Sequence, residues 1–174
     1  MLVGSLFSGI GGLDLGLERA GMEIVWQCEK DPFCRGVLRQ HWPTARLFDD
    51  VTTIDPDDLD PVDLICGGFP CQPVSLAGRR QGANDARWLW PAMRGIISHV
   101  RPSWVLGENT PGLITMGLDG VLLDLEALGY ACRTFVVPAC AVDAPHRRDR
   151  VFIVAHAGSS GRDQGRVLWA RQGQ

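Results

Sequence analysis

The chain alternates short apolar runs with longer segments of helical spacing. Five apolar runs have the length and composition of buried strands, near residues 2–7, 23–28, 45–48, 62–66 and 103–107. Between most of them lie segments with helical periodicity, the clearest at residues 13–20, 32–41, 87–100 and 118–128. This alternation predicts an α/β fold with a mostly parallel twisted sheet and helices on both faces. Two last apolar runs, 131–137 and 150–155, have no helix between them and are expected to form an antiparallel edge hairpin.

Length and composition set the class of protein. The 174 residues fit one domain, predicted over 1–155, followed by a Gly-, Gln- and Arg-rich tail at 156–174 that we expect to be poorly ordered. No run approaches the roughly 18 apolar residues that a membrane span needs, and the N-terminus does not read as a signal peptide. We therefore expect a cytoplasmic protein without a membrane partner. The six cysteines form no Cys-x-x-Cys pair, so no metal site is predicted and most thiols are expected to be reduced core residues.

The charge is distributed unevenly along the chain. Residues 1–70 carry 5 Lys and Arg against 12 Asp and Glu, whereas residues 71–174 carry 12 against 8, within a net charge of −3. A local basic region suffices for phosphate contact, because counterion release depends on the contacting residues. An arginine-rich composition without function explains the same counts, so charge alone leaves a nucleic-acid partner open.

One cysteine lies where open α/β sheets bind ligands. Cys71 follows the apolar run 62–66 after Gly67 and Gly68, and Pro70 stiffens its approach. It is therefore predicted on a stiff loop at the carboxyl end of a strand. A lone cysteine there is also compatible with a small, nearly apolar loop residue.

A glycine-rich turn at Ser8 to Gly12 connects the first strand to a helix. Such a turn lets a ligand approach the backbone and the N–H groups of the helix N-terminus. Asp14 stands where a dinucleotide fingerprint needs its third glycine, which disfavours a nicotinamide site. Glu29, about 20 residues after the turn and at the tip of the next strand, can accept the ribose hydroxyls of a nucleoside cofactor. Simple close packing of the turn and a solvated Glu29 remain the alternatives.

Together these segments resemble the cytosine-5 DNA methyltransferases. Four segments carry the resemblance in the order that the family has: Phe7 to Gly12, Gly68 to Ser75, Glu108-Asn109 and Arg148 to Arg150. The resemblance extends from about residue 2 to about residue 155. It implies a Rossmann-like fold of the S-adenosylmethionine-dependent methyltransferases. Two positions depart from the family pattern, where Thr110 replaces Val and His146 replaces Gln.

The resemblance assigns roles to individual residues. It implies S-adenosylmethionine as cofactor, bound by Phe7, Gly9, Gly11, Gly12, Glu29, Asp50, Val51 and Pro70. It implies catalysis by Cys71, Glu108, Arg148 and Arg150. Double-stranded DNA is the implied partner, with Ser75, Arg79 and Arg80 as phosphate contacts on a long loop at 76–87. In this chemistry the Cys71 thiolate attacks carbon 6 of a flipped-out cytosine while Glu108 stabilises charge at ring nitrogen 3.

The family also has parts for which this sequence offers no match. A target-recognition domain and a C-terminal segment that completes the cofactor site are expected beyond the arginine motif. We therefore expect weak cofactor binding and little sequence-specific methylation by the isolated chain, with a second polypeptide as one source of the target-recognition domain. The alternatives to an active methyltransferase are half of a split enzyme, a non-catalytic binder of S-adenosylmethionine or DNA, and, least favoured, a nicotinamide-dependent oxidoreductase.

Overall fold

The structure, a computed structural model, describes residues 1–70 and 88–158. These residues form one seven-stranded sheet flanked by helices. In chain order the elements are β1 (Leu2–Leu6), α1 (Gly12–Arg19), β2 (Glu23–Cys28), α2 (Pro32–His41), β3 (Arg46–Phe48), β4 (Leu64–Gly67), α3 (Trp90–Val100), β5 (Trp104–Asn109), α4 (Leu113–Met116), α5 (Leu118–Ala127), β6 (Tyr130–Pro138) and β7 (Asp149–Ala157).

The strand order is β3-β2-β1-β4-β5-β7-β6. All pairs from β3 to β5 are parallel, whereas β7 is antiparallel to both β5 and β6. The predicted parallel sheet with an antiparallel edge hairpin is thus confirmed. The chain leaves β1 toward β2 on one side and returns to β4 on the other. That reversal opens a crevice at the carboxyl ends of β1 and β4, which is where open α/β sheets bind ligands.

Apolar side chains fill both faces of the sheet, which explains why the strands read as continuous apolar runs. One face packs against α1 and α2 through Val3, Leu38, Leu64 and other buried residues. The larger cluster lies on the opposite face, where Ile65 and its neighbours pack against α3 and α5. Alternate residues of a strand such as β4 therefore enter different cores. A one-residue shift of register would exchange the two sets.

Close packing fixes the centre of the sheet. A Cβ added to Gly4 on β1 would lie 2.0 Å from the indole ring of Trp26 on β2. The indole is fully buried, and its Nε1 donates to the carbonyl of Asp60 at 2.9 Å. Gly4 is therefore required by the neighbouring tryptophan and not by a turn.

Several boundaries differ from the sequence prediction. The helix predicted from residue 87 begins at Trp90, with a proline in its first turn. The four-residue helix α4 was not anticipated, and neither was the 3-10 turn Pro56–Asp58 within the aspartate-rich stretch. β7 continues to Ala157, so residues 156 and 157 belong to the sheet and not to the expected tail. Residues 159–174 of that tail lie outside the described part of the chain.

Candidate active site

The loop between β1 and α1 holds left-handed backbone at three positions. Phe7, Gly9 and Gly11 have φ of 55°, 56° and 86°. Ser8 anchors the turn, since its N–H donates to the Cys28 carbonyl at 3.1 Å and its own carbonyl accepts from Gly11 N–H at 2.9 Å. A positive φ is strained for a phenylalanine. The surrounding hydrogen bonds therefore hold the loop in a backbone conformation that is unfavourable for Phe7 alone.

The glycines of this loop serve different purposes. A Cβ on Gly11 would lie 2.4 Å from the Trp42 ring, so Gly11 is needed for packing. No atom lies within 4 Å of a Cβ built on Gly9 or Gly12. Close packing, one of the two explanations that the sequence offers for the turn, thus holds for Gly11, whereas ligand approach at Gly9 and Gly12 stays a prediction. The open space beside Gly9 and Gly12 is the part of the loop that a ligand can approach.

Glu29 is tied directly to this loop. Its Oε2 accepts from Gly9 N–H at 2.7 Å and its Oε1 accepts from Asp31 N–H at 2.8 Å. Asp31 is the N-cap of α2 and accepts from Cys34 N–H at 3.0 Å, with Pro32 at the first helical position. The half-buried carboxylate is therefore fixed at the carboxyl ends of β1 and β2. Its remaining lone pairs can accept hydrogen bonds from hydroxyl groups.

Asp50 and Val51 follow β3 on the same side of the sheet. Asp50 pairs with Lys30 Nζ at 2.8 Å and accepts from the backbone N–H and hydroxyl of Thr52. The hydrogen bond to Lys30, followed by those from Thr52, holds the pKa of Asp50 well below its usual range. Val51 is buried in the larger core cluster. Asp50 therefore has a structural role in this turn, whatever contact with a ligand it also makes.

The residues that follow β4, 68–70, are called here the β4 exit, and the neighbouring strand β5 holds them in place. The carbonyl of Phe69 accepts from Asn109 Nδ2 at 2.9 Å, across 40 residues of sequence. The Phe69 ring is buried and lies against Trp88 and Trp90, with ring centroids 5.8 and 5.2 Å away. Pro70, which comes next, is half-buried. The chain therefore enters the segment after residue 70 from a fixed point.

Glu108 faces this exit. A Cβ on Gly68 would lie 3.1 Å from Glu108 Oε2, which places that oxygen directly beside the strand end. Its other oxygen, Oε1, lies 2.8 Å from Arg150 Nε. Both side chains are about one quarter exposed. The antiparallel register of β5 and β7 brings them together, because Glu108 lies opposite Phe152, two residues from Arg150.

Arg148 does not share this geometry. It has a left-handed φ of 37° and an exposed side chain just before β7 begins. From their spacing, Arg148 and Arg150 are predicted to point to one face of an extended segment. The positive φ of Arg148 shows that this prediction is wrong. Arg150 reaches Glu108, whereas Arg148 precedes the strand in left-handed backbone, and Arg147 beside it pairs with Asp149 at 3.1 Å.

Four predicted site residues lie outside the described residues: Cys71, Ser75, Arg79 and Arg80. The same holds for the rest of the loop predicted at 76–87. The residues that the structure brings together are thus the glycine loop with Glu29, and the β4 exit with Glu108 and Arg150. These two groups border the same crevice, because β1 and β4 are adjacent in the sheet.

Two contributors were missed from the sequence. Asn109 was noted only as part of a motif, although its amide links β5 to Phe69. Asp14 was considered only as a departure from a glycine pattern. It is a fully buried carboxylate that accepts from Ser5 and Gln27. The signal for Asp14 was its acidic side chain within the apolar face of α1, since acidic residues are rarely buried without partners.

The fold and the crevice define a class: an open α/β sheet with a glycine loop and a strand-end acid of the kind that binds nucleoside cofactors. In the described residues, 1–70 and 88–158, no helix is long and apolar enough to cross a membrane. Within that part of the chain no group of His, Cys, Asp and Glu could hold a metal ion.

Comparison with known proteins identifies the family. The family model for the C-5 cytosine-specific DNA methylases matches residues 1–165. The chain belongs to that family. The Type II methyltransferase M2.BsuMI of Bacillus subtilis is 34% identical over an alignment of 170 residues, and the match covers 89% of this chain and 42% of the relative. M.PspPI of Psychrobacter sp. is 38% identical over an alignment of 157 residues, and the match covers 86% of this chain and 38% of the relative.

Solved structures agree with the fold. A crystal structure of a prophage-encoded DNA modification methyltransferase from E. coli superposes with a TM-score of 0.77 at 27% identity, over 90% of this chain and 47% of that one. The S. pombe Dnmt2 methyltransferase gives a TM-score of 0.75 at 22% identity, over 93% and 52%. The chain thus spans about two fifths of the length of the two curated relatives and about half of these solved chains.

Proposed function

We propose that this chain carries catalytic machinery for methylating carbon 5 of cytosine in double-stranded DNA, with S-adenosylmethionine as the methyl donor. The observation that carries the proposal is the convergence at one crevice of Glu108, held by Arg150, with the β4 exit that leads to Cys71. The glycine loop with Glu29 borders the same crevice, so cofactor and base can meet there.

The residues of the cofactor side fit a nucleoside cofactor. Open space lies beside Gly9 and Gly12, and Glu29 offers a fixed carboxylate to ribose hydroxyls. Phe7, Gly11, Asp50, Val51 and Pro70 complete the proposed set. When bound, S-adenosylmethionine supplies an electrophilic methyl group.

On the base side, carbon 5 of cytosine is a poor nucleophile until the ring is activated. In the proposed reaction the Cys71 thiolate forms a bond to carbon 6, and the ring electrons become available at carbon 5. Glu108 holds a proton at ring nitrogen 3, which stabilises the charge that the addition creates. Carbon 5 would then take the methyl group that the cofactor supplies, with S-adenosylhomocysteine as the leaving group. Loss of the carbon-5 proton to water returns that electron pair to the ring and expels the Cys71 thiolate from carbon 6, which restores the ring. Arg150 keeps Glu108 oriented during these steps.

DNA contact is proposed for the basic residues around this crevice. Arg148 is exposed just before β7, so its guanidinium is accessible. Ser75, Arg79 and Arg80 are proposed phosphate contacts on the segment after Cys71. The base has to leave the duplex, since neither reacting carbon is accessible inside a stack, at a cost of a few kcal/mol.

The test is methyl transfer from tritiated S-adenosylmethionine to mixed-sequence DNA, followed by identification of the methylated base. We expect 5-methylcytosine with the wild-type chain and none with Cys71→Ser. The matched control is Cys140→Ser, since Cys140 is an exposed free thiol and should be dispensable. Burial raises the pKa of Cys28 and Cys66 to about 12, so these thiols do not compete as nucleophiles.

The same assay should be repeated with the polypeptide encoded immediately downstream added. Site-specific activity that appears only in the mixture would support a second polypeptide as the source of target recognition. Cofactor binding without methyl transfer in either preparation would favour a non-catalytic binder. Label in another base, or in cytosine with Cys71→Ser, would contradict the proposed chemistry.

A further inference from the structure

A buried carboxylate lies beneath the glycine loop, and none of the proposed catalytic steps uses it. Asp14 is the third residue of α1 and has no solvent exposure. Its Oδ2 accepts from Ser5 Oγ at 3.1 Å and its Oδ1 accepts from Gln27 Nε2 at 3.0 Å. Ser5 and Gln27 are each 1% exposed and lie opposite one another in the register of β1 and β2. The carboxylate therefore bridges the two strands from which the loop and Glu29 emerge.

Burying the Asp14 carboxylate costs free energy, which its hydrogen bonds have to offset. Among the described residues, no Lys or Arg forms an ion pair with Asp14. Burial is the largest influence on Asp14 and raises its pKa, while the bonds from Gln27 and Ser5 oppose that effect. An apolar side chain at this position of α1 would avoid the desolvation cost. A carboxylate is useful here only because it accepts hydrogen bonds from two sides.

The bonds continue from Asp14 into the loop in a defined direction. A carboxylate can only accept, so the Ser5 hydroxyl hydrogen is committed to Asp14. The Ser5 oxygen is then the nearest acceptor for Ser8 Oγ, at 2.9 Å, while the Ser5 and Cys28 carbonyls lie farther from the same hydroxyl, at 3.2 and 3.4 Å. Ser8 also donates its backbone N–H to Cys28, and the next residue, Gly9, donates to Glu29. The buried acid thus orients the Ser8 side chain. Through Ser8 it also orients the Ser8-Gly9 peptide, whose N–H donates to Glu29.

We propose that Asp14 is a positioning residue for the cofactor site, which acts through the hydroxyls of Ser5 and Ser8 to fix the Gly9 N–H and its contact with Glu29. The inference rests on the proposed function, because it concerns the loop to which S-adenosylmethionine is assigned. It explains how a strained loop with open space beside its glycines keeps one shape before a ligand arrives.

The first test measures the loop without any ligand. Residue-resolved hydrogen exchange reports the amides of Ser8, Gly9 and Gly11, each of which is hydrogen-bonded. Ser5→Ala removes the middle hydroxyl and should speed their exchange about three- to tenfold, the expected effect of losing one net hydrogen bond. The matched control is Tyr130→Phe, which removes a buried hydroxyl that donates to Pro102 O at 2.7 Å, far along the sheet.

A second pair of variants addresses the carboxylate itself. Asp14→Leu fills the position with an apolar side chain that has no hydrogen-bond acceptor. It should speed the exchange of the same loop amides at least as much as Ser5→Ala does. Asp14→Asn keeps one acceptor oxygen, and Gln27 can rotate its amide to match, so most of the wild-type protection should return. If Asp14→Leu does not fold, Ser5→Ala and Asp14→Asn decide the question.

The second test measures affinity for S-adenosylmethionine by titration. Ser5→Ala should weaken binding about three- to tenfold, whereas Tyr130→Phe should not. Unchanged loop exchange in Ser5→Ala, or equal acceleration at loop amides and at distant amides such as Ile153, would overturn the inference. A loosened loop with unchanged cofactor affinity would overturn the cofactor role. Failure of the wild-type chain to bind S-adenosylmethionine would count against the proposed function, while the exchange comparison would still decide whether Asp14 positions the loop.

Discussion

Replacing Gly68 by alanine tests whether Glu108 works from its position beside the β4 exit. The new Cβ would lie 3.1 Å from Glu108 Oε2, below the 3.4–4 Å of ordinary contact. The carboxylate therefore has to move by a few tenths of an ångström. It cannot move freely, because Arg150 holds its other oxygen at 2.8 Å. Gly68 is not among the residues with positive φ, so alanine brings no backbone strain.

The size of the effect follows from the displacement. A misplacement of about 1 Å in a catalytic group can cost roughly 100-fold in rate. A shift of a few tenths should therefore lower kcat about three- to tenfold, equivalent to about 1 kcal/mol in the barrier. Cofactor affinity and Tm should change little. The assay is the initial rate of tritium transfer to DNA, with thermal unfolding of the same samples.

Two neighbouring glycines provide controls. A Cβ on Gly107 would meet only ordinary contacts, at 3.6 Å from side-chain atoms of Ile153 and Phe69, so Gly107→Ala should preserve the rate. A Cβ on Gly67 would lie 2.8 Å from the Leu6 carbonyl oxygen, so Gly67→Ala should instead destabilise the sheet by about 1–3 kcal/mol. A Gly68→Ala enzyme as fast as Gly107→Ala would refute the placement of Glu108 as a working carboxyl.

The remaining predictions concern the fold and the cofactor side. Gly4→Ala should destabilise the protein by at least about 1–3 kcal/mol, seen in urea unfolding, because its Cβ would overlap the buried Trp26 ring. Glu29→Ala should weaken S-adenosylmethionine binding by about 2–3 kcal/mol, roughly 30- to 150-fold by calorimetry, through the loss of charge-assisted bonds to hydroxyls. Because Lys30 lowers the pKa of Asp50 in the fold, this carboxylate stabilises the protein above its ordinary pKa of 3.8, and the contribution is lost as pH falls below that value. Asp50→Asn should therefore flatten the acid limb of a stability profile, and an unchanged limb would count against the ion pair.

Much of the fold follows from local patterns. Each parallel strand is a short apolar run whose side chains pack into both core clusters. Glycines or the starts of capped helices mark its ends, as Asp31 and Pro32 mark the start of α2. The short helix α4 was missed because four residues carry too little periodicity. The left-handed φ of Arg148 was missed because alternating arginines predict an extended segment and carry no signal for a positive φ.

The site was less accessible to sequence reasoning where contacts span long separations. The bond between Asn109 and Phe69 crosses 40 residues and depends on β4 and β5 being neighbours. The contact of Arg150 with Glu108 depends on the antiparallel register of β7. The bridge from Asp14 to Gln27 depends on β1 and β2 pairing. Glu29, by contrast, was predictable, because its spacing from the glycine loop is set by one strand-loop-helix unit.

The central claim is that Cys71 forms a covalent bond with the target cytosine. The most direct measurement uses duplex DNA that contains 5-fluorocytosine, in which the fluorine blocks the elimination that would release the enzyme. The wild-type chain is incubated with this DNA and S-adenosylmethionine, with the downstream polypeptide present if methyl transfer requires it. The captured complex is digested, and the peptide that carries the nucleotide is identified by mass spectrometry. The covalent mechanism predicts a single adduct on Cys71, absent from Cys71→Ser and retained by Cys140→Ser. An adduct on another residue, or capture that persists in Cys71→Ser, would contradict it.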